Sequence, residues 1–417
     1  TVARHKVQLE RAVDLADESW AFVEQGVFTR ADEADVLAAA IQADHVGART
    51  GPFPERRGRR DFAVPSEPHH TWFAWHPLEL GEARLALWDP SRRPFAEPDG
   101  EDESAAELDP WPTDLAELQA WRSADLQRRV LLDSPLARSL PLWVGLQLID
   151  GVTLIGPYDG PGAERFPERG YDIERADAAS PRKRLERSLE AYRQLVSAGV
   201  PLPVTALSRW TDLDRPLGIH RTMTATEIDG RAVAPWDALQ AGRTWVSNGP
   251  LVRFTFGRQP VGSVLQGTSG ETLSLDLGLK VSSRSPLRVM EIYRNGQLER
   301  SLTAADLARD PDAARFTFDN SGWLMGVAWA GEDDSPQVAI TSPFRIEFSG
   351  PAPSDVDAVA RMLEKLEQLE ADERNLVTLP MEHSATEARP AIKSGGQQEI
   401  AMRFLLRQPS THFRQVA

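Results

Sequence analysis

The residues best suited to chemistry lie in the run His69-His70-Thr71-Trp72-Phe73-Ala74-Trp75-His76, the one histidine cluster of the chain. Imidazole is the commonest protein metal ligand. His70 and His76 stand six positions apart, so on one strand they face the same side. His69, His70 and His76 are therefore the candidate metal ligands, with zinc or manganese as the ion. Glu67 and Glu79 flank the cluster, but no carboxylate within it is well placed to complete a coordination set. His45, Arg209 and His220 are further candidates. Packed or hydrogen-bonded histidines beside tryptophan are the plainer reading of the same residues. The chain has no cysteine, which excludes disulfides and thiolate metal sites.

Other chemistry finds less support. The loop 51–61 (GPFPERRGRRD) carries four arginines; it can hold an anion but reads first as a solvated face. Ser208 and Ser247 stand without a placed base. There is no phosphate-binding P-loop, no dinucleotide fingerprint and no Gly-x-Ser-x-Gly elbow.

The elements that must position these residues follow from patterning. The 417 residues suggest two or three domains, and 41% hydrophobic content is enough for ordinary cores. No run approaches a membrane span. A net charge of −15 argues against nucleic acid as the main partner. Thr1 in place of Met suggests an export signal removed or a processed fragment, and export to the periplasm or exterior fits the lack of cysteine. The cytoplasm stays open as an alternative. Twelve tryptophans against four tyrosines point to packing.

Residues 1–23 read as an amphipathic helix, Val27-Phe28-Thr29 as a short strand, 35–43 as a helix and 44–48 as a strand. Leu85–Trp88 reads as a strand, and 89–113 as a proline-rich acidic excursion. A helix is expected over 115–132, burying Leu115, Leu118, Trp121, Leu126 and Val130. Ile149–Ile155 reads as a buried parallel strand. Ser180-Pro181 starts a helix of about 17 residues that Gly199 ends. Strands follow at 221–226 and 244–247, with a short helix at 235–241 between them. From 251 to 348 strands alone recur, and Asn295-Gly296 marks a hairpin. Ser354 caps an amphipathic helix, and 373–417 reads as an extended tail.

The pieces "LVSAGVPLPVTA", "RPLGIHRTMT" and "ALQAGRTWVSNGPL" within residues 195–251 resemble the closing segment of the carbaryl-hydrolase-like branch of the polymerase-and-histidinol-phosphatase (PHP) metallohydrolase superfamily. The resemblance implies a distorted TIM-like, PHP-type α/β barrel over 1–250. An Ig-like β-sandwich over 251–348 and a C-terminal helix with extended tail over 349–417 follow it. In that family one metal station is a His-x-His pair, which falls here on Val27-Phe28-Thr29. Another follows a strand and falls on Ala206-Leu207-Ser208-Arg209-Trp210. Neither run has the ligands, while His45, Arg209 and His220 fall near the implied barrel mouth. The resemblance thus implies a degenerate, non-catalytic binding or structural subunit with no cofactor. The alternative is an active metal-dependent hydrolase of ester or amide bonds, with zinc or manganese on His69, His70 and His76. The helix after Ser354 has an apolar stripe of Val356, Val359, Met362, Leu363, Leu366 and Leu369. Such a stripe must be buried, on this chain or on a protein partner.

Overall fold

A computed structural model of the chain describes residues 19–28, 44–49, 71–80, 83–91, 111–156, 180–208, 219–309, 314–332, 335–350 and 354–378. Strands β1 (Trp20–Phe28), β2 (His45–Arg49), β3 (Thr71–Leu80) and β4 (Ala83–Asp89) precede helix α1 (Leu115–Ala124). Strand β5 (Arg129–Leu132), helix α2 (Leu140–Gly145), strand β6 (Gly151–Ile155), helix α3 (Pro181–Ser197) and strand β7 (Val204–Ala206) follow. Next come β8 (Arg221–Ala225), the short pair β9 (Glu227–Ile228) and β10 (Arg231–Ala232), helix α4 (Pro235–Gln240) and β11 (Thr244–Ser247). The C-terminal half holds β12 (Leu251–Phe256), β13 (Gln259–Pro260), β14 (Val264–Gln266), β15 (Leu273–Ser282), β16 (Leu287–Arg294) and β17 (Gln297–Leu302). Helix α5 (Ala304–Arg309), β18 (Arg315–Phe318), β19 (Gly322–Glu332), β20 (Ser335–Thr341), β21 (Phe344–Glu347) and helix α6 (Val356–Thr378) complete it.

Fifteen strands form one mixed sheet in the order β14-β21-β19-β20-β11-β8-β1-β2-β3-β4-β5-β6-β7, with β16 beside β19 and β17 beside β16. This overturns the expected TIM-like α/β barrel. A TIM-like barrel needs a run of parallel strands joined by crossover helices. Here β3 pairs antiparallel with β4, and β4 with β5. Strands β1, β8, β11 and β20 form a second antiparallel series. Only two residues separate Leu80 from Ala83, enough for a hairpin and far too few for a crossover. Among the described residues no ladder closes the sheet. Strand β7 instead meets β8 and β11 through hydroxyls: Ala206 N donates to Thr222 Oγ1 (2.8 Å) and Thr244 Oγ1 donates to Val204 O (2.8 Å). The metallohydrolase-like assignment loses its structural basis with the barrel.

Two local expectations change as well. Trp20–Val23, expected to end a helix, open β1, which pairs with β2 on one side and β8 on the other. A central strand buries both faces, so Trp20, Ala21, Phe22 and Val23 are all apolar and show no clean period of two. The helix expected over 115–132 stops at Ala124. Its start is a capping box: Asp114 Oδ1 accepts from Glu117 N (2.9 Å) and Glu117 Oε2 from Thr113 N (2.8 Å). Past its end, Leu126 is 79% exposed, while Val130, Leu131 and Leu132 are fully buried in β5 between β4 and β6. Residues 1–18, the helix at 35–43, the loop at 51–61 and residues 379–417 lie outside the described residues.

The strands expected over 251–348 form, interrupted by helix α5, and they build two facing layers. Val252, Phe254, Phe256, Leu275, Leu277 and Phe316 come from the four-stranded sheet β13-β12-β15-β18. They pack against Met290, Ile292, Leu324, Ala328, Phe344 and Ile346 of the large sheet. Strand β20 also pairs with β11, so one ladder crosses the boundary expected at residue 250. The opposite face of β19 and β20 presents Trp329, Val327, Val338 and Ile340 to the helices. There α3 buries Leu185, Leu189, Tyr192, Leu195 and Val196 at helical spacing. Each such side chain contributes roughly 1.5–3 kcal/mol. Helix α6 docks on α2 and α3 through Ala358, Val359, Met362 and Leu366, with Asp355 N bonded to Ser197 O (2.7 Å). Val359, Met362 and Leu366 of its stripe are thus covered by the chain itself. Val356 and Leu363, expected to be buried, face solvent.

Candidate functional site

Of the residues singled out for metal chemistry, His45, His76 and His220 are described. His69, His70 and Arg209 lie outside the described residues. His45 occupies the first position of β2, in register with Val23 and Thr71. His76 shares a face of β3 with Leu78 and Leu80, opposite Trp75. Its ring stacks on Trp111 (centroids 4.7 Å apart, 11° between planes), and Trp111 in turn touches Trp121. Arg128 covers Trp121 at 5.0 Å and bonds Asp89 at 3.1 Å, so the column ties α1 to β4 and β5. His220 sits elsewhere, with Nδ1 3.2 Å from Leu207 O. The Leu207 side chain belongs to the cluster around Trp75 and Trp88, across the sheet from His76. Among the described residues no three His, Asp or Glu side chains form a group able to hold a metal ion.

Ser247 is also committed locally. Its Oγ donates to Pro250 O (2.6 Å) and accepts from Gly249 N (3.0 Å), which shapes the turn after β11.

A different place has the form of a ligand site. Between the outer side of α3 and strands β16 and β19 lies a cavity of about 410 Å³, within the range of small-molecule sites. Lys183, Glu186, Arg187, Glu190 and Arg193 line it from the helix; Glu291, Tyr293 and Trp329 line it from the sheet. Strand alternation places these last residues. Met290 and Ile292 face the four-stranded sheet, so Glu291 and Tyr293 face the helix. Glu291 Oε2 accepts from Tyr293 Oη (2.8 Å) and from Trp329 Nε1 (2.8 Å), which fixes the carboxylate. Burial, followed by the hydrogen bond to Glu291, raises the Tyr293 phenol well above the ordinary tyrosine value and keeps it neutral.

Arginines from the helix cap the aromatic walls. Arg182 lies 4.8 Å over Trp329, and Arg193 lies 4.2 Å over Tyr293. Arg193 Nη1 also donates to Gly296 O (2.9 Å). That oxygen belongs to the β16–β17 turn, where Asn295 (φ 48°) and Gly296 (φ 86°) both take positive φ, as a type I′ hairpin requires. The predicted Asn-Gly turn therefore also anchors a wall of the cavity. Sequence reading missed the site. The one local signal was the alternation of Glu291 and Tyr293 with Met290 and Ile292; the helix and Trp329 are distant in sequence.

No family model matches the chain, and no curated protein matches it. A solved structure of Clostridium thermocellum CbhA fibronectin(III)-like modules aligns with 31% of this chain and 62% of its own, at 14% identity and a TM-score of 0.17. A likeness that slight carries no inference about fold or function. No described helix is long and apolar enough to cross a membrane.

Proposed function

We propose that this protein is a non-catalytic binding protein that receives a small polar ligand in the cavity between α3, β16 and β19. The observation that carries the reading is the Glu291 carboxylate. Two donors from the buried Tyr293 and Trp329 side chains fix one of its oxygens. The other takes no hydrogen bond from the described residues. A carboxylate held in this way is preorganised to receive a ligand donor without losing side-chain freedom on binding. His76, His220 and Ser247 support binding over catalysis, because each is engaged in a contact that shapes the fold.

The test is a thermal-shift screen of polar small molecules on the full chain, repeated on Glu291→Gln and Lys183→Met. Ligands of this cavity should raise the melting temperature of the wild type and lose most of that effect in both variants. Hits that stabilise all three proteins equally, or no hit on the wild type, would overturn the proposal.

A further inference from the structure

The charges around the cavity are not all compensated, and the pattern of compensation specifies a ligand. Glu186 is neutralised by Arg182 (2.8 Å). Glu190 is paired with Arg193 and also accepts from Gln194 Nε2 (2.9 Å). Glu291 differs, since both of its partners, a phenol and an indole, are uncharged. Across the same cavity Lys183 makes no hydrogen bond or ion pair with any described residue. One negative and one positive group therefore line a single space, each without a counter-charge and not in contact with each other. A simple anion would suit Lys183 and be repelled by Glu291; a simple cation would meet the reverse problem. A molecule with both charges satisfies both groups.

Resting on the binding role proposed above, we infer that the ligand is a zwitterion of amino-acid to short-peptide size. Its ammonium donates to the free Glu291 oxygen, and its carboxylate accepts from Lys183. Charge-assisted bonds of this kind are roughly twice as strong as neutral ones. The fixed carboxylate supplies direction at one end, and the flexible lysine adapts to length at the other. The 410 Å³ of space admits a dipeptide.

The experiment is calorimetric titration of the full chain with Ala-Ala, N-acetyl-Ala-Ala, which lacks the cation, and Ala-Ala-amide, which lacks the anion. Ala-Ala should bind at least about ten-fold more tightly than either capped form, one tenfold step being the worth of a single such contact. Lys183→Met should abolish the preference for the free carboxylate over the amide. Glu291→Gln, which keeps an acceptor for Tyr293 and Trp329, should abolish the preference for the free ammonium over the acetyl. Circular dichroism melts establish that both variants are folded. Equal binding of capped and uncapped peptides, or discrimination that survives both substitutions, overturns the zwitterion. If these peptides fail while another polar molecule binds in a Glu291-dependent way, the class is wrong and the binding role stands. If nothing binds, both fall.

Discussion

Replacing Glu291 tests the central contact of the cavity through stability alone. The carboxylate accepts from Tyr293 and Trp329, and the Trp329 side chain is 2% exposed. Glu291→Ala leaves a phenol and an indole N–H buried without an acceptor. An orphaned buried donor costs about 1–3 kcal/mol. Water entering the adjoining cavity rescues part of this, so the loss should be about 2–4 kcal/mol. Glu291→Gln keeps a carbonyl oxygen in the same place and should cost about 1 kcal/mol or less, the difference between a charged and a neutral acceptor. Urea unfolding of the full chain, followed by circular dichroism, measures both. Trp329→Phe in the Glu291→Ala background should then add less than it does alone, because its lost partner is already gone. The reasoning fails if Ala and Gln are equally destabilising, if Ala costs under about 0.5 kcal/mol, or if the double substitution is additive.

Tyr192 and Tyr293 both have phenol pKa values raised by burial, Tyr192 with its hydroxyl donated to Leu202 O (2.6 Å). Their stabilising effect is complete below the unfolded tyrosine pKa of about 10 and is lost as pH rises above it, because only the unfolded chain gives up the proton. Unfolding free energy measured from pH 8 to 11 should fall above about pH 10, and less steeply in Tyr192→Phe; an unchanged slope would contradict this. Leu366→Ala, on the buried side of α6, should cost about 2–4 kcal/mol in urea unfolding, while Val356→Ser on the exposed side should stay within about 0.5 kcal/mol. Equal effects would mean that α6 is not docked on α2 and α3. Gly296→Ala should lose about 1–2 kcal/mol by forcing a side chain into positive φ, where its Cβ would also stand 2.8 Å from Ser197 Oγ. A melting temperature equal to wild type would argue against the type I′ turn.

Some of this was legible in the sequence because its causes are local. Ser180-Pro181 and Gly199 bracket α3, since a proline fits the first turn and a left-handed residue (φ 87° at Gly199) ends a helix. Strands β12 and β18 follow from alternation, and the β16–β17 turn from Asn295-Gly296. The central part of the large sheet was harder to read. Buried on both faces, Trp20–Val23 and Arg129–Leu132 lack the period that separates strand from helix, so one reads as a helix end and the other as a helix extension.

Strand direction was written locally only where a two-residue turn forces a hairpin, as at Asn295-Gly296. It is decided by which neighbours each strand meets, and β3 turning straight back into β4 replaces a barrel crossover with a hairpin. The surroundings of the described candidate histidines were likewise set by tertiary packing. His76 stacks on Trp111, and His220 Nδ1 lies beside Leu207 O. The cavity depended most on the tertiary structure. Its parts are a helix near residue 190, a strand near 291 and a tryptophan at 329. Burying the apolar face of α3 on the sheet is what brings the charged edge of that helix over Glu291. The sequence by itself determined which side chains carry charge and which segments are helix or hairpin. Only the long-range burial of apolar faces decided which of those charges stand across one cavity without a counter-charge among the described residues.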